Sequence, residues 1–391
     1  MTVRKCFSRL ILPVLAAVLV CALLPLSALA EGPSLCFRLD QIGKDGLIYL
    51  GKDSSNETLQ WRVLDADEER ALLITRSSVR VNTDYDDRMF WYCKPESLFE
   101  YDPDTPPLDS WESSQIRQLC KKLFNLWKSS KMNKEETYAL LPYTAEETEN
   151  YRAGRFDLEF LPSPVKKEYI FVLSAREAEL YFGSEADQAC TEPDGKTPAW
   201  WWLRSPVLHN SIYLDRAYIV GCVDDAGWLN SLDVTRELNM AEFRPSCQLD
   251  MSKILFATAK DAKPKHSKEA SMEPVARGKY KTWKLTLIDA GRKFSAETVP
   301  LAAAPGGTIS LVYQGAKTGA NEAISVIICD KEGTPLYYGS LKADKEGTAE
   351  FPVPGDIAPG EYIIKAFNEL RYGSKYSDIS SPAVEIGLTI Q

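Results

Sequence analysis

Catalysis needs side chains that hold, accept or move charge, and this 391-residue sequence offers few arrangements of them. It has two histidines, His209 and His266. Ser205, His209 and Asp215 are the residue types of a serine-hydrolase triad, but sharing one loop is not triad geometry. Ser205 is held next to Pro206, and no G-x-S-x-G elbow is present to expose a nucleophile. Cys222 with His209 has the types of a thiol–base pair, yet a packed strand position accounts for Cys222 as well. Asp84-Tyr-Asp-Asp87 and Glu192-Pro-Asp194 offer the oxygen ligands calcium prefers. Solvated acidic turns explain both more simply. Paired carboxylates for glycoside hydrolysis depend on a separation that sequence does not display. We therefore assign no catalytic residue, no metal and no cofactor.

The densest signature is Trp200-Trp-Trp-Leu-Arg-Ser-Pro206, continued by Ala217-Tyr-Ile-Val-Gly221 and Phe243-Arg-Pro-Ser246. Trp61-Arg-Val-Leu64, Trp111-Glu-Ser-Ser-Gln-Ile-Arg117 and Phe171-Val-Leu-Ser174 precede it. Guanidinium planes stack on indoles, and their fork of donors ties loop carbonyls together. Trp61, Trp111, Arg117, Trp202, Arg204, Ser205, Pro206, Gly221, Arg244 and Pro245 read as scaffolding on that basis, with Arg204 as an acid-binding group the competing reading. Exposed Trp and Tyr favour flat ligands. This signature resembles that of the C-type-lectin-like fold, which displays its variable surface in the loops that correspond to those between Leu208 and Glu242; the resemblance implies recognition there, through Tyr213, Asp224, Asp225, Trp228 and Asn230. Phe90, Trp91 and Tyr92 form a second aromatic group in a charged loop.

Strands and helices must position these residues. Leu47–Leu50, Leu59–Val63 and Ala71–Leu72-Leu-Ile74 are short apolar or alternating runs, the last two joined by the turn Asp65–Glu69. Ile116, Leu119, Cys120, Leu123, Phe124 and Trp127 recur with helical spacing. Ser174 and Glu177 form a capping box at the start of a second helix. Strands follow around 200–203, 217–223, 228–232 and 243–249, with Asp224–Gly227 as a tight turn. Strands flanking two helices indicate an α+β domain. Residues 258–279 are rich in Lys, Ala, Ser and Pro and read as a linker. Beyond it, about seven short strands punctuated by glycine suggest an immunoglobulin-like sandwich.

Arg4, Lys5 and Arg9 precede an apolar run, Leu10–Leu24, and Ala28-Leu-Ala30, the pattern of a cleaved export signal over residues 1–30. Removing it leaves 43 basic against 55 acidic groups, a net charge of −12. Such a balance argues against nucleic acid or an anionic membrane as partner, since both want a basic surface. The acid excess lies in residues 31–257, with 26 basic and 39 acidic groups; residues 258–391 are near neutral. Seven cysteines follow the signal, an odd number without a C-x-x-C motif. Cys222 and Cys247, on neighbouring predicted strands, are the best candidates for a bridge.

The ordered motifs W-R-V-L, W-x-x-S-x-I-R, F-V-L-S, W-L-R-S-P and R-P resemble a family of secreted Gram-positive bacterial proteins of unknown function. The resemblance covers most of residues 45–250, with Phe243 and Ser246 where the family has valine and alanine. Its last portion also resembles the C-type-lectin-like fold of formylglycine-generating enzymes, although Cys222 and Cys247 do not match the cysteine motif of those oxidases. The resemblance implies an α+β C-type-lectin-like domain (31–257) followed, after the linker at 258–279, by an all-β immunoglobulin-like domain (280–391). The expected function is a secreted, non-catalytic binding or adhesion protein for an extracellular glycan or protein. An extracellular carbohydrate-active hydrolase and a structural surface subunit are the alternatives. No nucleic acid, and no membrane beyond the cleaved signal, is expected as partner.

Overall fold

The computed structural model describes residues 33–43, 45–80, 111–208, 219–233, 241–260, 263, 267–276, 280–297, 299, 301–373 and 376–391. The first elements in chain order are β1 (Leu47–Lys52), β2 (Thr58–Ala66), β3 (Arg70–Thr75), α1 (Gln115–Leu126), α2 (Lys134–Tyr138), α3 (Ala175–Tyr181) and α4 (Glu185–Gln188). Then come β4 (Pro198–Pro206), β5 (Ile219–Val223), β6 (Leu229–Asp233), β7 (Ser246–Asp250), β8 (Ile254–Ala259) and β9 (Thr282–Ile288). The remainder is β10 (Thr308–Gln314), β11 (Glu322–Cys329), β12 (Pro335–Lys342), β13 (Gly347–Pro352), β14 (Gly360–Leu370), β15 (Asp378–Ser380) and β16 (Val384–Ile390).

The local signals act as the residues dictate. Ser114 caps α1 by accepting the Arg117 N–H at 3.2 Å. Ile116, Leu119, Cys120 and Leu123 bury its apolar stripe, and Trp127 follows just past its end. Ser174 and Glu177 complete both halves of the capping box on α3. β2 and β3 make the expected hairpin, pairing Trp61 with Thr75 and Ala66 with Ala71.

The global architecture departs from expectation. A single sheet of 16 strands runs from Ile170–Phe171 through β7, β3, β2, β1, β9, β15, β14, β11 and β12 to Ser271–Pro274. Its junction is parallel: Lys284 of β9 pairs with Tyr49 of β1, and Thr286 of β9 pairs with Asp378 of β15. Gly32–Gln391 forms one compact unit. Strand accounts for 48% of the described residues and helix for 14%, and among them only α1 exceeds two turns. The α+β C-type-lectin-like domain followed by an all-β immunoglobulin-like sandwich is therefore corrected to an all-β fold built on one mixed sheet. The physical reason lies in β9. Its side chains Trp283, Leu285 and Leu287 sit in the same core as Trp61 and Leu73, so the sheet continues where composition suggested a break. Periodicity reports which face of a strand is apolar, not which strand is its neighbour.

A buried charge network fastens that junction. Lys263 Nζ donates to Glu369 Oε2 (2.8 Å), Asp378 Oδ2 (3.1 Å) and Thr286 Oγ1 (2.9 Å). Lys284 Nζ donates to Asp378 Oδ1 at 2.5 Å. Burial opposes the Glu369 charge, but Lys263 and Arg371 outweigh it and hold the carboxyl well below its ordinary range. A second core lies between β10 and β13 on one side and β11, β14 and β16 on the other, through Ile309, Leu311, Phe351, Val326, Ile364 and Leu388.

The expected Cys222–Cys247 bridge is also corrected. Cys247 is a free, buried thiol on β7 of the large sheet, whereas Cys222 lies on β5 of a different sheet.

Candidate functional site

A five-stranded sheet carries the signature: Cys190–Thr191, β4, β5 and β6 in order, with Ala241–Glu242 alongside β4. Trp201, Trp202 and Arg204 of β4 are fully buried. Arg204 uses every arm of its fork. Nε donates to the Ser163 carbonyl (2.7 Å), Nη1 to the Val172 carbonyl (3.0 Å) and to Glu177 Oε2, and Nη2 to Glu177 Oε1 (2.7 Å) and Glu147 Oε1 (3.1 Å). Burial disfavours the Glu177 carboxylate, but the guanidinium beside it prevails and holds its pKa below the usual range. Burial likewise opposes the Arg204 charge, and Glu177 more than offsets it. Tyr143 adds a 2.7 Å hydrogen bond to Glu177 Oε1.

Arg244 is buried with no carboxylate partner among the described residues. Nε donates to the Thr75 carbonyl (3.0 Å) and Nη1 to the Gln188 carbonyl (2.8 Å). Its guanidinium lies 4.8 Å from the Trp201 ring and 5.4 Å from the Phe182 ring, and Arg62 approaches Phe182 at 5.4 Å as well. Burial pushes the Arg244 pKa down, and the Arg62 charge adds to the effect. The Gln188 carbonyl also accepts from Trp201 Nε1 at 2.9 Å, so α4, β3 and β4 meet at this one acceptor and cation.

The other signature residues have comparable tasks. Trp61 Nε1 donates to the Leu50 carbonyl at 2.8 Å, and its ring meets Trp127 edge-on at 5.7 Å. Trp111 is buried and its carbonyl accepts from Ser114 Oγ at 2.8 Å. Arg117 Nε donates to Glu168 Oε1 at 2.6 Å. Ser205 Oγ accepts the Ala175 N–H at 3.0 Å and so pins the start of α3. Pro206 pairs with Val220 after an irregular stretch of β4. The Pro245 carbonyl accepts the Thr75 N–H at 3.1 Å. Gly221 packs so closely that a Cβ would stand 2.8 Å from Phe160 Cε1 and 2.9 Å from the Ser205 carbonyl oxygen.

This scaffold presents the β5–β6 hairpin. Asp224 Oδ1 accepts the N–H groups of Ala226 (3.0 Å) and Trp228 (2.8 Å), while the Asp224 N–H donates to the Trp228 carbonyl at 2.9 Å. One oxygen of the Asp224 carboxylate is thus committed to the turn. Gly227 has φ +89°, and a Cβ there would lie 1.8 Å from the Glu185 carbonyl oxygen of α4. Asp225 is exposed and Trp228 is 36% exposed at the tip. Asn230 Oδ1 accepts from the neighbouring Ser231 N–H at 2.8 Å. Gly154, on an adjoining hairpin, stands so close that a Cβ would meet the Leu229 carbonyl oxygen at 2.7 Å. Phe156 of that hairpin and Leu208 just past β4 are also exposed apolar side chains.

Tyr213, His209, His266, Asp215, the acidic run Asp84–Asp87 and the aromatic run Phe90–Tyr92 lie outside the described residues. Asp194 is held in its own loop by Thr197 Oγ1 (2.6 Å) and by the N–H groups of Lys196 and Thr197, which bring its pKa down to about 2. The sequence suggests guanidinium stacked on indole without naming the ring; in the structure Trp201 lies under Arg244. Sequence reading also passed over Glu147, which precedes its partner Arg204 by 57 residues without any local signal. A separate pocket on the large sheet, bounded by Tyr49, Thr58, Lys260 and Tyr376, was not anticipated either. Its residues come from distant segments, which the pairing of β9 with β1, β8 and β15 brings together.

The chain matches no protein-family model, no curated protein and no solved structure.

Proposed function

We propose that the chain is a secreted, non-catalytic binding protein that engages an extracellular glycan or protein at the tip of the β5–β6 hairpin. The observation that carries this reading is the rigid presentation of Trp228. The carboxylate of Asp224 holds its backbone, Gly227 presses the turn onto α4, and yet the indole remains partly exposed. A fixed aromatic side chain contacts a flat ligand at low entropic cost, because the geometry is set before the ligand arrives. Exposed Phe156, on the hairpin whose Gly154 packs against Leu229, adds apolar surface on an adjoining element. Asp225 supplies an exposed polar group at the tip.

The test is a glycan and protein array probed with the purified protein and with Trp228→Ala. Specific capture by the wild type that falls at least about tenfold in the variant, a loss of roughly 1.4 kcal/mol, is expected. Absence of any binder, or equal binding by both proteins, overturns the reading.

A further inference from the structure

The second core is open along one seam. β13 pairs with β10 in an unbroken register, from Thr308 with Pro352 to Tyr313 with Gly347, and is the last strand of its three-stranded sheet. In an antiparallel pair, alternate residues exchange the backbone bonds. The Val353 N–H donates to the Gly307 carbonyl at 2.8 Å, which fixes Phe351 and Ala349 as the residues that bond β10. The N–H and C=O groups of Thr348 and Glu350 therefore point to the far side, where no described residue bonds them. A cleft of about 800 Å³ lies along that side, a size that natural ligand sites span. Ala270 and Leu341 form its apolar wall, both only partly buried against the second core. Lys268, Lys342, Asp344 and Glu350 also line it; all four are exposed, and none has an ion-pair partner among the described residues.

We propose that β13 accepts an extended peptide segment of a partner protein as an added strand, bonded to Thr348 and Glu350 and alternating apolar with polar side chains. Unmade backbone hydrogen bonds on a regular edge are a template for pairing with another chain. Two devices that blunt such an edge are lacking along β13: its register with β10 has no bulge, and its inward side chains, Ala349 and Phe351, are apolar and buried. Pro352 closes the edge at its end, having no N–H to offer. An added strand turns every second side chain toward Ala270 and Leu341, which calls for apolar residues at those positions. Its other face lies beside Glu350, the one charged side chain of β13. Opposite charges directly across a strand pair attract, so Glu350 selects a lysine or arginine. Ser271–Pro274 approaches β13 from the facing sheet, so the slot suits a single strand better than the edge of a second folded copy. These elements are not those of the β5–β6 hairpin, so the inference does not depend on the function proposed above.

The probe is a short capped peptide that alternates valine with threonine and carries lysine at its central polar position, titrated into the full protein with amide hydrogen exchange as the readout. Saturable binding that slows exchange at the Thr348 and Glu350 amides is expected. The same peptide, N-methylated along the edge that meets β13, is expected to bind at least about tenfold more weakly. Glu350→Lys is expected to reverse the preference, taking a glutamate-centred peptide over the lysine-centred one, with the melting curve of the wild type because the side chain is exposed. Should that variant melt early, Glu350→Gln replaces it and is expected to bind both peptides alike. Failure of the lysine-centred peptide to bind, equal binding of its N-methylated form, an unaltered preference in a folded Glu350 variant, or protection confined to other strands overturns the proposal. Protection of both amides in the free protein, at concentrations where it is a dimer, also overturns it and gives the edge to a second copy.

Discussion

Arg204 and Glu177 form an ion pair wholly inside the protein: Nη2 lies 2.7 Å from Oε1, Nη1 bonds Oε2, and the arginine side chain is 0% exposed. Glu177 simultaneously accepts the Ser174 N–H at 3.0 Å, so one carboxylate caps a helix and neutralises a strand cation. Breaking a buried pair leaves the partner charged and unsolvated, which costs about 3–5 kcal/mol. Arg204→Ala and Glu177→Ala are each expected to fall in that range in chemical denaturation. The double substitution is expected to cost less than the two added together, since the partners share the loss. Additive costs would show that the pair is not coupled.

Acid should reveal the same pair. A carboxyl depressed in the folded state gives stability that is complete above its unfolded pKa, about 4.3 for glutamate, and is lost as pH falls through the folded value. Glu177 and Glu369 are both depressed, so both act in this sense. Glu136, raised by burial, acts oppositely: its contribution is complete in acid and lost as pH rises. Asp40, Asp67, Glu159 and Asp194 are depressed as well, against Glu136 and Glu242 raised, so net stability is expected to decline below about pH 4.3. Glu177→Gln should have a shallower decline on that limb than the wild type. A parallel limb in denaturation at stepped pH would contradict the assignment.

Much of the local structure was legible because its causes are local. Ser174 and Glu177 announce a helix start, and Trp61 and Ile116 occupy positions that a period of two or 3.6 buries. The fold class was not legible, because it turns on Leu47 pairing with Thr282 and Thr286 with Asp378. Such long-range parallel pairs leave no trace in hydrophobic period. Within the site, the turn at Asp224–Gly227 could be read from its residues, whereas the closeness of Gly227 to Glu185 could not. Lys260 and Tyr376, which line the pocket on the large sheet, escaped for the same reason as the fold, since each is unremarkable in its own segment.

Arg244 tests whether shape or charge matters in the second node. Among the described residues it has no carboxylate partner, two backbone acceptors and two aromatic neighbours. Lysine keeps the charge but not the planar fork that reaches both carbonyls and stacks on Trp201. Arg244→Lys is therefore expected to lose about 1–3 kcal/mol, the cost of leaving a buried acceptor unsatisfied. Tryptophan fluorescence should shift as well, because Trp201 loses its stacked partner. Unchanged stability would mean that charge alone suffices there.

Gly227 separates scaffold from contact. Its φ of +89° is strained for a side chain, and an added Cβ would fall 1.8 Å from the Glu185 carbonyl oxygen, so the tip must lift away from α4. A non-glycine residue held at such a φ costs of the order of 1–3 kcal/mol, and the clash adds to that. Gly227→Ala is thus expected to lower the melting temperature and to misplace Trp228. Trp228→Ala removes a part-exposed ring and is expected to change stability by no more than about 0.5 kcal/mol. If the hairpin tip is the recognition surface, both variants lose the ligand captured by the wild type, but only Gly227→Ala also loses stability. Retention of binding by Gly227→Ala, with its tip displaced, would move recognition off the hairpin.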